Sequence, residues 1–217
     1  MSAVVVDHLV VAAPTLDAGV RWCEATLGIT PGPGGRHPLM STHNRLFAIG
    51  DEHSFSNAYM EIIAIDPEAP PPGRSRWFGL DAIDLSAGPR LIHWVGRCTD
   101  LHAALAALRA ADVDAGQAIA ASRDTPAGPL HWRIAVRADG RLLAGGALPT
   151  LIEWGERHPS ASMPASGVRL NSLTLRGLGA RVRAALALQG VDATDDPGPA
   201  ISSTFDTPRG RLIIDSN

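Results

Sequence analysis

The chain has 217 residues, of which 45% are hydrophobic, so it is long and apolar enough to bury a core. Its formal net charge of −3 gives no electrostatic reason to expect a nucleic acid partner, and no apolar run is long enough to predict a transmembrane helix. The two cysteines lack metal-type spacing and no glycine-rich phosphate-binding motif is present, so we expect reduced cysteines, a cytoplasmic location and no nucleotide cofactor.

Residues 1–66 show the element order strand, helix, strands. Residues 3–12 form a β-branched run that is typical of a strand covered on both faces. Thr15 is a good N-cap for a helix whose apolar stripe starts at Leu16, and Gly28 is placed to end it. Residues 39–50 and 58–65 are predicted as strands, so this segment forms a first βαβββ module.

The same pattern returns after a connector at residues 67–90. Residues 91–158 predict a second βαβββ module, with a strand at 91–97, a helix capped by Thr99 or Asp100, and three further strands. Residues 168–217 predict a third, truncated βαβ-type module with a helix at 178–188 and a final hairpin. We expect this third module to pack on the other two, because its helix has an apolar stripe.

A histidine occupies the same place in the first two modules. His8 lies eight residues before Leu16, the first apolar residue of its helix, and His93 lies eight residues before Leu101. The third module has Leu170 at the corresponding place. A histidine on an apolar strand is often just a hydrogen-bonded core residue, but its repetition favours a shared role.

The first two modules also end in a strand with one acid inside an apolar run. The acids are Glu61 and Glu153, at 53 and 60 residues from the histidine of their module. A buried carboxylate is costly unless it is paired or bound to a cation. The alternative without a metal is that each acid pairs with an arginine.

Trp94 and Trp154 each follow a proposed site residue and are therefore expected on the opposite, helix-facing side of the sheet. His158 is expected at the surface.

Paired modules with these histidines and acids resemble the vicinal oxygen chelate superfamily. The segments at 34–38, 42–46 and 59–61 resemble, within it, the glyoxalase-like group that includes glyoxalases, bleomycin resistance proteins and dihydroxybiphenyl dioxygenases. The resemblance implies an α+β fold in which tandem βαβββ modules form an open, curved, barrel-like mixed sheet with the helices outside.

The resemblance also implies a site inside that sheet. His8, Glu61, His93 and Glu153 would be the metal ligands, and Glu61 or Glu153 the catalytic base. Mixed imidazole and carboxylate ligands suit Zn, Ni, Co, Fe or Mn. His131 is a fallback ligand. The candidate substrate-binding residues are polar or aromatic and lie near these strands or in the connector: Arg36, His37, Thr42, His43, Asn44, Trp77, Phe78 and Arg133. Strand alternation puts Thr42 and Asn44 on one face and His43 on the other.

Three functions remain open from the sequence. The leading hypothesis is a metal-dependent lyase, isomerase or dioxygenase that acts on a small oxygenated substrate. The alternative is a metal-free protein that binds or sequesters a small molecule, as bleomycin resistance proteins do. A protein–protein module with a degenerate pocket is the third. A small-molecule ligand is expected as partner, with neither nucleic acid nor membrane, and pairing into a homodimer is left open.

Overall fold

The computed structural model describes residues 3–53, 55–125 and 128–216. The first two modules contribute eight strands and two helices, in this chain order: β1 (Val5–Ala12), α1 (Leu16–Thr26), β2 (Arg36–His37), β3 (Thr42–Ala48), β4 (Tyr59–Ile65), β5 (Arg90–Arg97), α2 (Leu101–Ala110), β6 (Gln117–Arg123), β7 (Leu130–Val136) and β8 (Thr150–Trp154). Short 3-10 helices lie at Trp77–Gly79, Ala144–Gly146 and Pro159–Ser162.

These eight strands form one mixed sheet that is nearly closed into a barrel. Its order is β2-β3-β4-β1-β5-β8-β7-β6, so each module supplies one half, and β1 and β5 meet antiparallel at the centre. In each half the last strand pairs parallel with the first. The predicted architecture is therefore confirmed, and β2 and β6 are the two edges that face each other across the open seam.

Local sequence explains where the elements begin and end. The hydroxyl of Thr15 accepts the Ala18 N–H at the start of α1, and Gly28 follows that helix with a φ of 77°. Asp100 caps α2 through the Ala103 N–H. The strand predicted at 39–50 starts later, at Thr42, because a turn closed by the Met40 N–H to the His37 carbonyl precedes it.

The third unit contains β9 (Arg169–Arg176), α3 (Ala180–Leu186), β10 (Asp192–Thr194), β11 (Ile201–Thr207) and β12 (Gly210–Asp215). Its separate sheet has the order β10-β9-β11-β12. The β9-α3-β10 segment is a parallel βαβ unit and β11 and β12 form the predicted hairpin, but the strand order differs from that of the first two modules. The unit is joined to the large sheet by backbone hydrogen bonds from Leu170 to Ile49 and from Gln189 to Val4.

Apolar side chains fill both sides of the large sheet. On the outer side, residues of β1, β4 and β5 pack against α1, α2 and the third unit, and Trp94 lies in this core as predicted. On the inner side, a second cluster gathers Val10, Ile92, Val95 and the aromatic residues Trp77 and Phe78. Within the described part of the chain, no helix has the length and hydropathy to cross a membrane.

Candidate functional site

A β-bulge lies in front of the histidine in each half of the central strand pair. The β1–β5 register passes from Val6 opposite Gly96 to His8 opposite Val95, which leaves Asp7 without a cross-strand partner. It likewise passes from Val10 opposite His93 to Val11 opposite Leu91, which leaves out Ile92. A bulge re-aims the side chains beside it. Each histidine is therefore joined on the inner side by the residue before it.

Asp7 is a completely buried carboxylate with three donors. Its Oδ1 lies 2.7 Å from His8 Nδ1, and its Oδ2 accepts from Trp154 Nε1 at 2.9 Å and from His158 Nε2 at 2.9 Å. Burial alone would raise the pKa of Asp7, but the hydrogen bonds from His158 and His8 hold it well below its usual value. Asp7 is therefore ionised, and both of its carboxylate oxygens accept hydrogen bonds.

His8 lies between this carboxylate and a second one. Its Nε2 is 3.5 Å from Glu61 Oε2, and its ring stacks on Tyr59 with 4.5 Å between centroids. Burial alone would lower the pKa of His8, but the hydrogen bonds to Asp7 and Glu61 raise it to about 9. His8 is therefore an imidazolium at neutral pH.

Glu61 is oriented by the side-chain amide of Asn44, and the backbone of Gly35 determines which way that amide points. The Gly35 N–H donates to Asn44 Oδ1 at 2.8 Å, so Asn44 Nδ2 is left to donate to Glu61 Oε1 at 2.6 Å and to His37 Nε2 at 3.3 Å. Burial alone would raise the pKa of Glu61, but His8 and the other donors lower it. Glu61 is thus a carboxylate whose Oε2 points toward His8.

His37 is the next residue in this chain of hydrogen bonds, and it is neutral because it is buried. Because Asn44 donates to its Nε2, the proton of His37 is on Nδ1, which lies 3.1 Å from Thr42 Oγ1. Burial is the largest reason that the pKa of His37 falls to about 4. His37, Thr42 and Asn44 were predicted substrate-binding residues. His37 and Asn44 line the inner cavity, whereas Thr42 is a buried support for His37.

The second module has a different partner beside its histidine. Val10 lies opposite Glu61 in the β1–β4 pair, and the equivalent residue Val95 lies opposite Thr150 in the β5–β8 pair. Thr150, not Glu153, therefore occupies the position of Glu61. His93 donates from Nδ1 to the Gly146 carbonyl at 2.9 Å, and its Nε2 accepts from the Thr150 N–H at 3.1 Å. Burial lowers the pKa of His93 to about 3, so it is neutral.

Glu153 lies on the opposite face of β8 from the predicted site. It accepts the Leu101 N–H at 2.8 Å and pairs with Arg133 at 2.5 Å. Pairing with an arginine was the structural alternative to a metal-ligand role for this acid. Ile152 and Trp154, its neighbours in β8, line the inner cavity instead. The expectations that Glu153 and Arg133 face the cleft and that Trp154 faces the helices are corrected, because strand alternation was counted from the wrong register position.

The other predicted residues divide between the two faces. Arg36 is exposed and pairs with Asp66 and Glu68, and His43 lies near Asp66, so neither reaches the cavity. Trp77 and Phe78 stack on each other and line the cavity from the connector. His131 is exposed on the outer side of β7.

Several site residues were not predicted from the sequence. Asp7 could have been identified as a charged residue inside an apolar run, and Tyr59 as the aromatic residue two positions before Glu61. His158, expected at the surface, instead bonds Asp7 across 151 positions of the chain. Arg123, which lies 3.5 Å from Asn44 Oδ1, gave no sequence signal because its strand brings it to the cavity only in the folded sheet.

The residues present do not fit the four-ligand metal centre that the resemblance implies. Both ring nitrogens of His93 have protein partners, Thr150 supplies no carboxylate, and Glu153 lies on the other face. Over residues 3–53, 55–125 and 128–216, no group of three or more His, Cys, Asp or Glu side chains is arranged to hold a metal ion.

Two neighbouring cavities serve this site. A small one of about 40 Å³ lies on the inner face of the sheet and includes His8, Glu61, Tyr59 and His37 in its wall. A large one of about 1100 Å³ lies between residues 29–34 with the end of β3 on one side and residues 156–166 on the other. Leu46 and Arg123 line both. The acid–base groups are thus buried behind a much larger outer chamber.

Comparison with known proteins places this geometry in a family. Solved structures with the same fold include a hypothetical protein from Staphylococcus aureus, with a TM-score of 0.60 and 14% identity over 99% of this chain and 86% of that one. Methylmalonyl-CoA epimerase from Mycobacterium tuberculosis is more distant, with a TM-score of 0.40 and 20% identity over 69% of this chain and 85% of the epimerase. The Streptomyces coelicolor epimerase bound to 2-nitronate-propionyl-CoA has a TM-score of 0.42 and 15% identity over 69% and 92%.

Likeness at this level carries no argument about the reaction. No curated protein sequence matches the chain. The model of the glyoxalase-like domain family, however, matches residues 6–190, which is most of the 217 residues. The chain therefore belongs to the glyoxalase-like domain family, within the vicinal oxygen chelate superfamily.

Proposed function

We propose that the chain is an isomerase or lyase that moves a proton on a small carbonyl compound, with Glu61 as base and His8 as acid. One observation carries the proposal: an imidazolium and a carboxylate, 3.5 Å apart, together line a buried cavity. Titratable groups whose environments push their pKa values apart, as here for His8 and Glu61, are typical of acid–base sites.

The proposed step follows from the orientation of these two side chains. Glu61 Oε2 takes the proton from the carbon beside the carbonyl, and the released electron pair moves onto the carbonyl oxygen. The Nε2–H of His8 faces the same space and stabilises the negative oxygen. Return of the proton to a different face or carbon completes an isomerisation, and loss of a group from the next carbon completes a lyase reaction.

The surrounding residues act on this pair as positioning residues. Asp7 holds the Nδ1–H of His8 at 2.7 Å, so the other ring nitrogen is directed at Glu61. Asn44 fixes one oxygen of Glu61 and leaves the other for the substrate. Trp77 and Phe78 line the cavity with apolar aromatic surface, which makes the environment of the pair less favourable to water.

A metal-dependent reaction is not what this donor set favours. A dioxygenase would require a redox metal, and His93 and Glu153 are not placed to complete its ligand shell. The alternative to an enzyme is a metal-free protein that binds a small molecule without converting it. The outer cavity of about 1100 Å³ favours it, because that volume accepts a ligand far larger than the small cavity beside Glu61.

Proton exchange in heavy water tests the proposal across a panel of candidate substrates. The protein is incubated in D₂O with hydroxyketones, hydroxyaldehydes and 2-substituted carbonyl acids, and exchange of the C–H beside the carbonyl is followed by NMR. Glu61→Gln should lower the exchange rate by about 10²–10⁴-fold, the usual contribution of a positioned base. Glu153→Gln is the matched control, because Glu153 lies outside the cleft, and it should exchange like the wild type.

Other outcomes would select between the alternatives. Equal exchange by the wild type and Glu61→Gln would overturn the proposed base. Tight binding of a panel member without any exchange would favour the binding protein. Loss of wild-type exchange after metal chelation, with recovery on adding one divalent metal, would restore the metal-dependent hypothesis.

A further inference from the structure

Arg123 crosses the open seam of the barrel. It is the last residue of β6, one edge of the eight-stranded sheet, and its Nη1 lies 3.5 Å from Asn44 Oδ1 on β3, beside the opposite edge. Its guanidinium therefore stands where the two modules fail to close on each other.

The backbone of the first module makes room for this side chain. A Cβ atom on Gly35 would lie 2.6 Å from Arg123 Nη1, too close for a real contact, so the guanidinium lies against a residue that has no side chain. Among the described residues no carboxylate forms an ion pair with Arg123, in contrast to Arg133, which pairs with Glu153. Asn44 Oδ1 already accepts the Gly35 N–H and carries no charge to offset.

The position of Arg123 links the two cavities. It lines both, and the other residue that does so is Leu46, which is apolar. The wall of the outer cavity contains many apolar side chains, among them Ile29, Phe47, Leu130 and Met163. On the inner side, Asn44 separates Arg123 from Glu61 by one hydrogen-bonded residue. A guanidinium that no described carboxylate neutralises thus stands between the proposed base and a chamber whose wall includes Glu156, Arg157 and His158 but is largely apolar.

We propose that Arg123 binds the carboxylate of a substrate with an apolar body. The planar guanidinium matches a carboxylate in a bidentate arrangement, and the apolar body fits the outer cavity. The carbon next to that carboxylate then lies toward Glu61. This last point rests on the proposed function, whereas the binding of an apolar carboxylate at the seam does not.

Binding of octanoate and 1-octanol tests the site directly. The two probes have the same chain length and differ in charge, and the change in fluorescence of Trp77, Trp132 and Trp154, which line the inner cavity, reports binding. The wild type should bind octanoate at least about tenfold more tightly than octanol, which is the size of one charge-assisted hydrogen bond. Arg123→Gln should bind the two equally, and the matched control Arg133→Gln should keep the wild-type preference.

A further variant guards against a folding defect in Arg123→Gln. Arg123→Lys keeps the charge but loses the forked geometry, so it should retain a reduced preference for octanoate. Equal wild-type affinity for the two probes, or a full preference in Arg123→Gln, would overturn the proposal. If carboxylate binding by Arg123 is overturned but the protein still exchanges the substrate proton, the proposed function stands. If the protein prefers octanoate but exchanges no proton, carboxylate binding by Arg123 stands and the proposed function does not.

Discussion

The two modules carry a histidine at the same place behind the same bulge, yet in opposite protonation states. In the first module Asp7 and Glu61 flank His8, whose pKa is raised to about 9. In the second, Ile92 and Thr150 occupy the corresponding positions, and the pKa of His93 is lowered to about 3. Burial alone lowers the pKa of both histidines, so the two carboxylates beside His8 are the reason that its pKa is raised instead.

Equivalent positions of the two modules thus hold histidines of two different kinds. Where a buried imidazole has two carboxylates beside it, as His8 has, it is charged at neutral pH. Where its neighbours are an isoleucine and a threonine, it satisfies the Gly146 carbonyl and the Thr150 N–H and serves the packing of β5 on β8. The repeat thus preserves the strand and its bulge, while the two flanking carboxylates are present only in the first half.

Removing the charge of Asp7 should produce the largest change in stability. Asp7→Asn leaves the His8 imidazolium with one carboxylate instead of two and breaks a network centred on a completely buried charge, so we expect a loss of about 3–5 kcal/mol in the free energy of unfolding. Denaturant titration measures it, and NMR titration should show a lower pKa for His8. Asp206→Asn, an exposed control on β11, should change little. Wild-type stability in Asp7→Asn would break the assignment of the charge on His8 to this network.

The alkaline limb of the stability profile should distinguish the two histidines. The pKa of His8 rises from 6.5 in the unfolded chain to about 9 in the folded one, so its contribution is complete below pH 6.5 and is lost between pH 6.5 and 9. At about 1.4 kcal/mol per pKa unit, the loss is on the order of 3 kcal/mol. For His93, whose folded pKa is lowered, the contribution is instead lost as the pH falls below 6.5.

The free energy of unfolding, measured between pH 5 and 9.5, checks this prediction. Glu61→Gln should reduce the alkaline loss, because one of the two carboxylates that raise the pKa of His8 is gone. Glu153→Gln should keep it. A flat wild-type profile from pH 6.5 to 9 would show that His8 does not titrate as described.

The smallest effect is expected at the neutral pair of the second module. Thr150→Val removes the hydroxyl 2.9 Å from His93 Nε2 but keeps the backbone N–H that also donates to this nitrogen. The expected cost is about 1 kcal/mol, the net value of one ordinary hydrogen bond. Thermal or denaturant unfolding measures it. A loss several times larger would mean that His93 is held in a charged network like that of His8.

Most of the secondary structure and the modular plan could be predicted because they follow from short-range patterns. Alternating and β-branched runs predicted the strands, and the spacing of apolar residues with Thr15 and Asp100 as caps predicted the helices. The repeated offset of His8 and His93 from their helices correctly placed both on equivalent strands. Glu61 was also identified, since an acid inside an otherwise apolar buried strand needs a partner.

Only the tertiary structure decided which residues meet His8 and His93. Separations of 53 and 60 residues from histidine to acid look alike in the sequence, but the pairing of β5 with β8 puts Thr150 opposite Val95, three residues before Glu153. An odd shift turns a side chain to the other face of the sheet, because strand side chains alternate. Likewise, Arg123 and His158 reach the site across 79 and 151 residues through loops and a barrel seam that no local periodicity describes.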